Sequence, residues 1–165
     1  MKNIVLLSDT HHTLDERFFP HFEKADEIWH AGDIGSLSIT DTLKKFAPIR
    51  VVYGNIDDNI TRTEFKKNIY FKCEEVNVMI THIGGFPGKY DKKILNIIQN
   101  VKPDLFICGH SHILKVMYDK KNNLLHMNPG AIGEYGIHKV KTILCFKIDK
   151  TEIKDLKVVE FSRNK

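Results

Sequence analysis

The sequence predicts an α/β protein in which two β-sheets pack together and carry helices on their outer faces. Apolar runs typical of strands alternate with amphipathic stretches through the first two-thirds of the chain, which is the pattern of βαβ units. After Gly109 the pattern changes to strands alone. Alternating βαβ units imply largely parallel strands with right-handed crossovers, and the late strands are joined by hairpin connections.

The individual elements follow from periodicity and from turn residues. Helical spacing marks residues 14–24, 37–46 and 90–100, and Pro48 and Pro103 follow the second and third of these stretches, as helix stops do. Residues 119–123 and 149–150 are polar and predict hairpin connections. The predicted strands cover residues 4–7, 28–29, 49–53, 76–80, 105–108, 113–118, 124–127, 141–148 and 153–161.

Composition indicates one soluble domain over residues 1–165. The net charge of +4 comes from scattered lysines, which favours a solvated surface over a nucleic-acid stripe. No apolar run approaches the roughly 20 residues of a membrane span, and the first apolar run is too short for a signal peptide. Cys73, Cys108 and Cys145 are odd in number and far apart, so we expect no disulfide framework and a cytoplasmic location.

Five short polar motifs stand at the ends of predicted strands. Gly-Asp and Gly-Asn are ordinary turn starters, and a single strand-end histidine is more often a loop residue than a ligand. The joint order and common placement of the five motifs nevertheless favour a metal site, because ligands bind outside the carboxyl ends of strands in α/β sheets. The motifs are Asp9-Thr10-His11, Gly32-Asp33, Gly54-Asn55, Thr81-His82 and Gly109-His110-Ser111-His112.

The spacing within two motifs predicts paired ligands. Asp9 and His11 would project to one side of an extended segment, since side chains alternate with a period of two, and the last motif repeats that geometry. Asp33 has two carboxylate oxygens and suits a bridging position, with Asn55 and His82 as neutral ligands of a second ion. Oxygen and nitrogen ligands without sulfur favour Mn, Fe, Zn or Ni. Two ions about 3.5–4 Å apart are well suited to in-line displacement at phosphorus.

The ordered motifs D-x-H, G-D, G-N, H and G-H-x-H resemble those of the calcineurin-like metallophosphoesterases, in particular the short single-domain phosphodiesterase branch, over residues 3 to roughly 148. The resemblance implies a four-layer αββα sandwich of two mixed sheets and two divalent ions, with manganese favoured. It also implies hydrolysis of a small phosphate ester by a hydroxide that bridges the ions. The first ion would be held by Asp9, His11, Asp33 and His112, and the second by Asp33, Asn55, His82 and His110.

One departure concerns the proton donor. Many members of the family carry a histidine directly after Gly-Asn, where this chain has Ile56 followed by Asp57. We therefore expect Asp33, Asn55 and His82 to carry the chemistry, with His12 as a substitute acid; an exposed loop histidine is the alternative interpretation of His12.

Other functions of the same fold stay open at this stage. A non-catalytic protein-binding scaffold and a phosphomonoesterase or pyrophosphatase are the alternatives to a phosphodiesterase. Residues 128–131 resemble the family's loop after the last metal strand and are expected to shape the rim of the site, and no arginine follows them to clamp phosphate. His21, His30 and His126 are interpreted as structural, and the aromatic group at residues 18, 19 and 22 as helix core, with a homo-oligomer contact as the alternative.

Overall fold

Two five-stranded β-sheets pack face to face at the centre of the computed structural model, which describes residues 1–163. Residues 164 and 165 of the predicted domain lie outside that range. The strands are β1 (Lys2–Leu7), β2 (Glu27–His30), β3 (Ile49–Val51), β4 (Asn68–Cys73), β5 (Val76–Thr81), β6 (Gly85–Phe86), β7 (Lys89–Tyr90), β8 (Leu105–Ile107), β9 (Leu114–Asp119), β10 (Leu124–Pro129), β11 (Val140–Asp149) and β12 (Glu152–Ser162). The helices are a 3₁₀ turn (Glu16–Phe18), α1 (Phe19–Phe22), α2 (Leu37–Lys44), α3 (Asn59–Glu64) and α4 (Lys92–Val101).

Both sheets are mixed. The first has the strand order β12-β11-β1-β2-β3, in which β1, β2 and β3 run parallel and the β11–β12 hairpin joins antiparallel to β1. The second has the order β4-β5-β8-β10-β9, with three parallel central strands and an antiparallel strand at each edge. The late hairpins therefore complete sheets that the βαβ units begin.

Side-chain alternation along the strands builds the layers. In β1, Ile4 and Leu6 face the second sheet, whereas Val5 and Leu7 face the outer layer that contains α1 and α2. Phe106 of the second sheet packs under α4 in a third cluster. These three apolar clusters separate four layers, which confirms the αββα sandwich.

The helix predicted at residues 14–24 was too long. The structure has only the 3₁₀ turn and the four-residue α1 there. Pro20 lacks the N–H that a continuous helix would need, so the two short pieces replace one helix. Phe18 and Phe22 are fully buried against the first sheet, which supports their interpretation as core.

The sequence did not predict α3, β4 or the two-residue strands β6 and β7. Helix α3 and strand β4 connect the two sheets, and both lack a clear apolar period because most of their residues are exposed or half-buried. Within the described residues, no helix has the length and apolar character needed to cross a bilayer.

Candidate metal centre

The loops that follow five strands meet at one edge of the sandwich. Three of these strands, β1, β2 and β3, belong to the first sheet, and β5 and β8 belong to the second. The seven side chains expected from the sequence lie together at this edge. Six of them form two groups of three, in which the candidate ligand atoms lie within 4.8 Å of one another. We call Asp9, His11 and His112 the first triad, and Asp33, His82 and His110 the second triad.

Asp33 is the member of the second triad that lies next to the first triad. Its Oδ2 atom is 3.4 Å from Nε2 of His11 and 3.2 Å from Nε2 of His82. Both imidazole atoms are buried, and neither makes a hydrogen bond within residues 1–163. A buried polar atom without a hydrogen-bond partner is costly. Two such nitrogen atoms that face one carboxylate therefore indicate a site suited to cations. The donor set fits divalent metal ions on both sides of Asp33.

The protein fixes which nitrogen of His82 faces the site. Nδ1 of His82 lies 2.7 Å from the carbonyl oxygen of Ala31 and donates its proton there, so Nε2 of the neutral ring keeps its lone pair. Burial alone lowers the pKa of His82, but Asp33 and Asp9 outweigh it and the pKa is raised. Because a metal ion binds the unprotonated Nε2, protons and metal ions compete for this atom.

Asp9 is fully buried, and the protein holds one of its oxygens. Oδ2 accepts hydrogen bonds from Ser8 Oγ at 2.6 Å and from the backbone N–H of His110 at 3.1 Å. Oδ1 instead faces Nε2 of His112 at 3.1 Å. Burial alone would raise the pKa of Asp9, yet the neighbouring His11 and His112 rings and the hydrogen bond from Ser8 hold it well below its usual range. Asp9 is thus an anion whose Oδ1 faces the histidines of the first triad.

Asn55 lies beside the second triad. Its Oδ1 lies 3.0 Å from Nδ1 of His110, at the exposed end of the second triad. Asp33 Oδ1 accepts a hydrogen bond from the N–H of Ile56 at 3.1 Å, which ties the loop after β3 to the loop after β2. The pKa of Asp33 is lowered, because His82 and this N–H outweigh the effect of burial.

The expected extended geometry of the D-x-H and H-x-H segments was wrong. Five of the seven side chains stand on residues with left-handed backbones, a conformation that non-glycine residues rarely adopt and that often marks functional sites. The sequence pattern gives no direct signal of this conformation. The φ values are 57° at Asp9, 43° at His11, 56° at Asp33, 70° at His110 and 60° at His112.

Backbone hydrogen bonds explain how the first loop holds this conformation. The loop after β1 runs beside the loop after β2, and its N–H groups donate to successive carbonyl oxygens of that neighbour. The bonds are Asp9 to Gly32 at 2.9 Å, His11 to Asp33 at 3.0 Å and His12 to Ile34 at 3.1 Å. The two loops therefore support each other's strained residues.

Two glycines allow the close approach of the loops. A Cβ atom on Gly54 would lie 2.0 Å from Oδ1 of Asp33, and one on Gly109 would lie 2.1 Å from Oγ of Ser8. Since no side chain tolerates such distances, the glycines of G-N and G-H-x-H are required by the positions of Asp33 and Asp9.

Asp57 braces the site without facing it. It is buried, and its carboxylate accepts N–H bonds from Gly54 at 2.7 Å, Gly35 at 2.9 Å and Ile34 at 3.2 Å. Asp57 therefore supports the loops after β2 and β3, which accounts for the acid that follows Ile56.

His30 braces the other side. Its Nδ1 accepts a hydrogen bond from the N–H of Gly32 at 3.1 Å, which leaves Nε2 to donate to Thr10 Oγ1 at 3.0 Å. Burial lowers the pKa of His30 to about 4, so the ring is neutral and this tautomer is stable. The expected buried, hydrogen-bonded histidine is present.

A rim that sequence analysis missed covers the first triad. The ring of Tyr135 lies 4.9 Å from that of His11, and the ring of His138 lies 5.3 Å from that of His112, measured between centroids. Gly136 passes so close to His112 that an added Cβ would lie 2.4 Å from its Nδ1. No local pattern distinguishes these residues from a polar turn, because only the folded connection between β10 and β11 brings them over the site.

The remaining singled-out residues lie around the centre. His12 is exposed, belongs to neither triad, and packs against Gly35. Ile56 is also exposed. Asn128 donates to the carbonyl oxygen of Gly109 at 3.0 Å and to Ser111 Oγ at 3.1 Å, so it supports the G-H-x-H loop as a rim residue.

Comparison with known proteins identifies the family. The model of the calcineurin-like phosphoesterase superfamily domain matches residues 1–151. The chain belongs to this superfamily. A protein named "probable metallophosphoesterase" from Methanothermobacter thermautotrophicus is 27% identical over 133 residues, which cover 78% of this chain and 76% of the relative.

Solved structures agree on the fold. Vps29 from Entamoeba histolytica, in complex with zinc, superposes with a TM-score of 0.76 at 18% identity and covers 98% of this chain and 99% of its own. A structure described as a novel archaeal phosphodiesterase gives a TM-score of 0.70 at 22% identity, with 95% and 99% covered. At these identities the likeness establishes the architecture alone. Metallophosphoesterases use divalent metal ions, and the two triads are the candidate positions for them.

Proposed function

We propose that this chain is a cytoplasmic, single-domain phosphodiesterase that works with two divalent metal ions, manganese being favoured. The observation that carries the proposal is the position of Asp33 Oδ2 between the two buried, unpartnered Nε2 atoms of His11 and His82. One carboxylate between two imidazoles is an arrangement for paired cations. The free cysteine thiols support the reducing compartment.

Each side chain has a defined task in this proposal. Two bound ions would supply Lewis acidity at the phosphoryl group and lower the pKa of a water molecule between them. Asp33 would be shared by the two ions, and its negative charge would offset part of theirs. The first site is completed by Asp9, His11 and His112, and the second by Asn55, His82 and His110.

The preformed loops favour catalysis over a purely structural role. Asp57, His30 and the glycines hold the ligands in place through hydrogen bonds and close packing rather than leaving them mobile. Such rigidity keeps reacting groups aligned, which is a large part of enzymatic rate enhancement. A protein-binding scaffold on the same fold would not need both triads.

The test combines metal analysis with a substrate panel. Protein purified from manganese-supplemented medium should contain two ions per chain by mass spectrometry of the metals. It should hydrolyse bis(p-nitrophenyl) phosphate faster than p-nitrophenyl phosphate. If the protein binds two ions but prefers the monoester, it is a phosphomonoesterase rather than a phosphodiesterase. If it binds two ions and hydrolyses neither compound, the result favours a protein-binding scaffold.

His12 is the proposed proton donor to the leaving group. It is exposed at the margin of the centre and stands in a sequence that has Ile56 where relatives carry a histidine. His12→Ala should lower turnover by about 10²-fold for alkyl leaving groups, at the low end for a general acid, and little for p-nitrophenolate. Equal losses for both kinds of leaving group would exclude this role.

A further inference from the structure

A small cavity opens directly beside the second triad. Its volume is about 190 Å³, and Asn55 and His82 form the wall toward the metal centre. Lys67 lies at the start of β4 next to His82, since Asn68 pairs with Thr81 at the end of β5. The cavity is therefore continuous with the position where a scissile phosphate would contact the second ion.

Two cationic side chains line the cavity without a carboxylate to neutralise them. No Asp or Glu is among its lining residues, and neither Arg62 nor Lys67 has an ion pair within 4.0 Å anywhere in residues 1–163. Both residues are exposed, and two positive charges without a neighbouring carboxylate create a positive potential beside the metal centre that favours an anionic ligand.

Arg62 is held in place rather than free. Its Nε donates to the carbonyl oxygen of Asp57 at 2.7 Å, and its Nη2 donates to that of Asn55 at 3.1 Å. Its guanidinium carbon also lies 5.1 Å from the ring centroid of Tyr53. The positive charge is thus fixed next to Asn55 at no further entropic cost when a ligand arrives.

The cavity is small for a whole nucleoside. Its volume corresponds to about six water molecules at roughly 30 Å³ each, below the roughly 300–1,000 Å³ of ordinary ligand pockets. A single phosphate group fits this size, and an Arg–Lys pair is well suited to bind one.

We propose that this cavity binds a second phosphate group of the substrate, so that the preferred substrates are phosphoesters with another phosphate close to the scissile one. This inference rests on the proposed function, because the scissile phosphate must lie at the metal centre. Arg62 and Lys67 are specificity residues that recognise the additional charge.

A pair of chromogenic diesters tests the inference. Thymidine 5′-(p-nitrophenyl phosphate) and its 3′-phosphorylated derivative share the scissile bond and the leaving group and differ by one phosphate. The wild-type enzyme should show a kcat/KM about tenfold higher for the 3′-phosphorylated compound, the size expected for one charge-assisted contact. Lys67→Gln should bring the ratio of the two kcat/KM values close to one.

Lys66→Gln is the matched control. The substitution removes the same charge one residue away from Lys67. Lys66 is exposed and lines a different surface, beside Phe65 and Tyr70. Its substrate ratio should equal that of the wild type. Arg62 is a poorer test, because its hydrogen bonds to the Asn55 segment make any substitution disturb the metal centre as well.

A binding measurement complements the kinetics. Calorimetric titration of the zinc-loaded protein with thymidine 3′,5′-bisphosphate should show about tenfold weaker binding in Lys67→Gln than in Lys66→Gln or the wild type. Thymidine 5′-phosphate should bind all three proteins alike. Equal binding of the bisphosphate by all three, or an equal loss of discrimination in both lysine variants, would overturn the second-phosphate site. Failure of the wild type to hydrolyse either diester would instead contradict the proposed phosphodiesterase activity.

Discussion

The buried residues that support the metal-site loops and the buried layer under α4 differ in their hydrogen bonding. At the edge where the strand ends meet, His30 and Asp57 are buried with every bond accounted for. Under α4, His126 of β10 is equally buried, but neither of its ring nitrogens has a hydrogen-bond partner in residues 1–163. It lies instead among aromatic rings, 5.6 Å from that of Phe106 and 6.3 Å from that of Tyr90.

The contrast teaches what burial alone does to a histidine. Burial lowers the pKa of both His30 and His126 to about 4, so both rings are neutral at pH 7. Only His30 uses its neutral ring, since it links the loops after β1 and β2. The site edge should therefore respond strongly to loss of a polar group, whereas the region under α4 should not.

Asp33→Asn should produce the largest effect at the site edge. The amide can keep the bond from Ile56 N–H but loses the charge that lies between His11 and His82. Substitution of residues that only support metal ligands typically lowers activity about 10–100-fold. Asp33→Asn should lower activity by more than about 100-fold, and fewer than two ions should remain bound. Asp41→Asn on the exposed face of α2 is the control for the same chemical change. Retention of two ions in Asp33→Asn would contradict the bridging position.

Asp57→Ala should destabilise the fold by about 3 kcal/mol, because three N–H groups lose a charged acceptor in a buried place. Urea unfolding at pH 7.5 measures this change. Asp58→Ala is the neighbouring control. The Asp58 side chain accepts a hydrogen bond from the N–H of Thr61 and caps α3, and loss of this cap should lower the free energy of unfolding by about 1 kcal/mol. Equal costs for the two substitutions would show that Asp57 does not brace the loops.

The two regions also differ in how far sequence reasoning reaches them. The ligands were predictable because Asp, Asn and His at strand ends carry their chemistry in the residue type. The left-handed backbones of Asp9 and His110, and the cover provided by Tyr135, were not, because they depend on contacts between distant loops. His126 was correctly interpreted as structural, but no sequence pattern indicates that a buried histidine lacks partners.

The sheets show the same division. Apolar periodicity predicted the central strands, which are buried on both faces, whereas it failed for β4 and α3, whose residues are largely exposed. It also overextended the first helix, since Phe18 and Phe22 keep a helical spacing across the break at Pro20. Apolar periodicity reflects which residues are buried, so it does not predict elements whose residues are largely exposed.

His30→Leu should destabilise the protein by about 2 kcal/mol at pH 7.5. The substitution keeps a similar volume but leaves the N–H of Gly32 buried without its acceptor, while Thr10 retains its bond to the carbonyl oxygen of Ile34. Denaturant unfolding gives the change in free energy, and metal analysis should show weaker retention of ions at the adjacent Asp33. An unchanged unfolding midpoint would remove the distinction between His30 and the region under α4.

His126→Leu should have the smallest effect at pH 7.5. The free energy of unfolding should change by no more than about 1 kcal/mol, because no hydrogen bond is lost and an unpartnered polar ring leaves the core.

The effect of His126→Leu should appear on acidification. The folded pKa of about 4 lies below the ordinary value of 6.5, so the unfolded chain binds the proton first and stability falls as the pH drops from 6.5 toward 4. At pH 5 this penalty is about 2 kcal/mol in the wild type, at 1.36 kcal/mol per pH unit, and it is absent from the variant. The difference between the unfolding free energies of variant and wild type should therefore shift by that amount between pH 7.5 and 5 in favour of the variant. A difference that stays constant with pH would mean that His126 finds a proton acceptor in the folded protein, and the contrast with His30 would disappear.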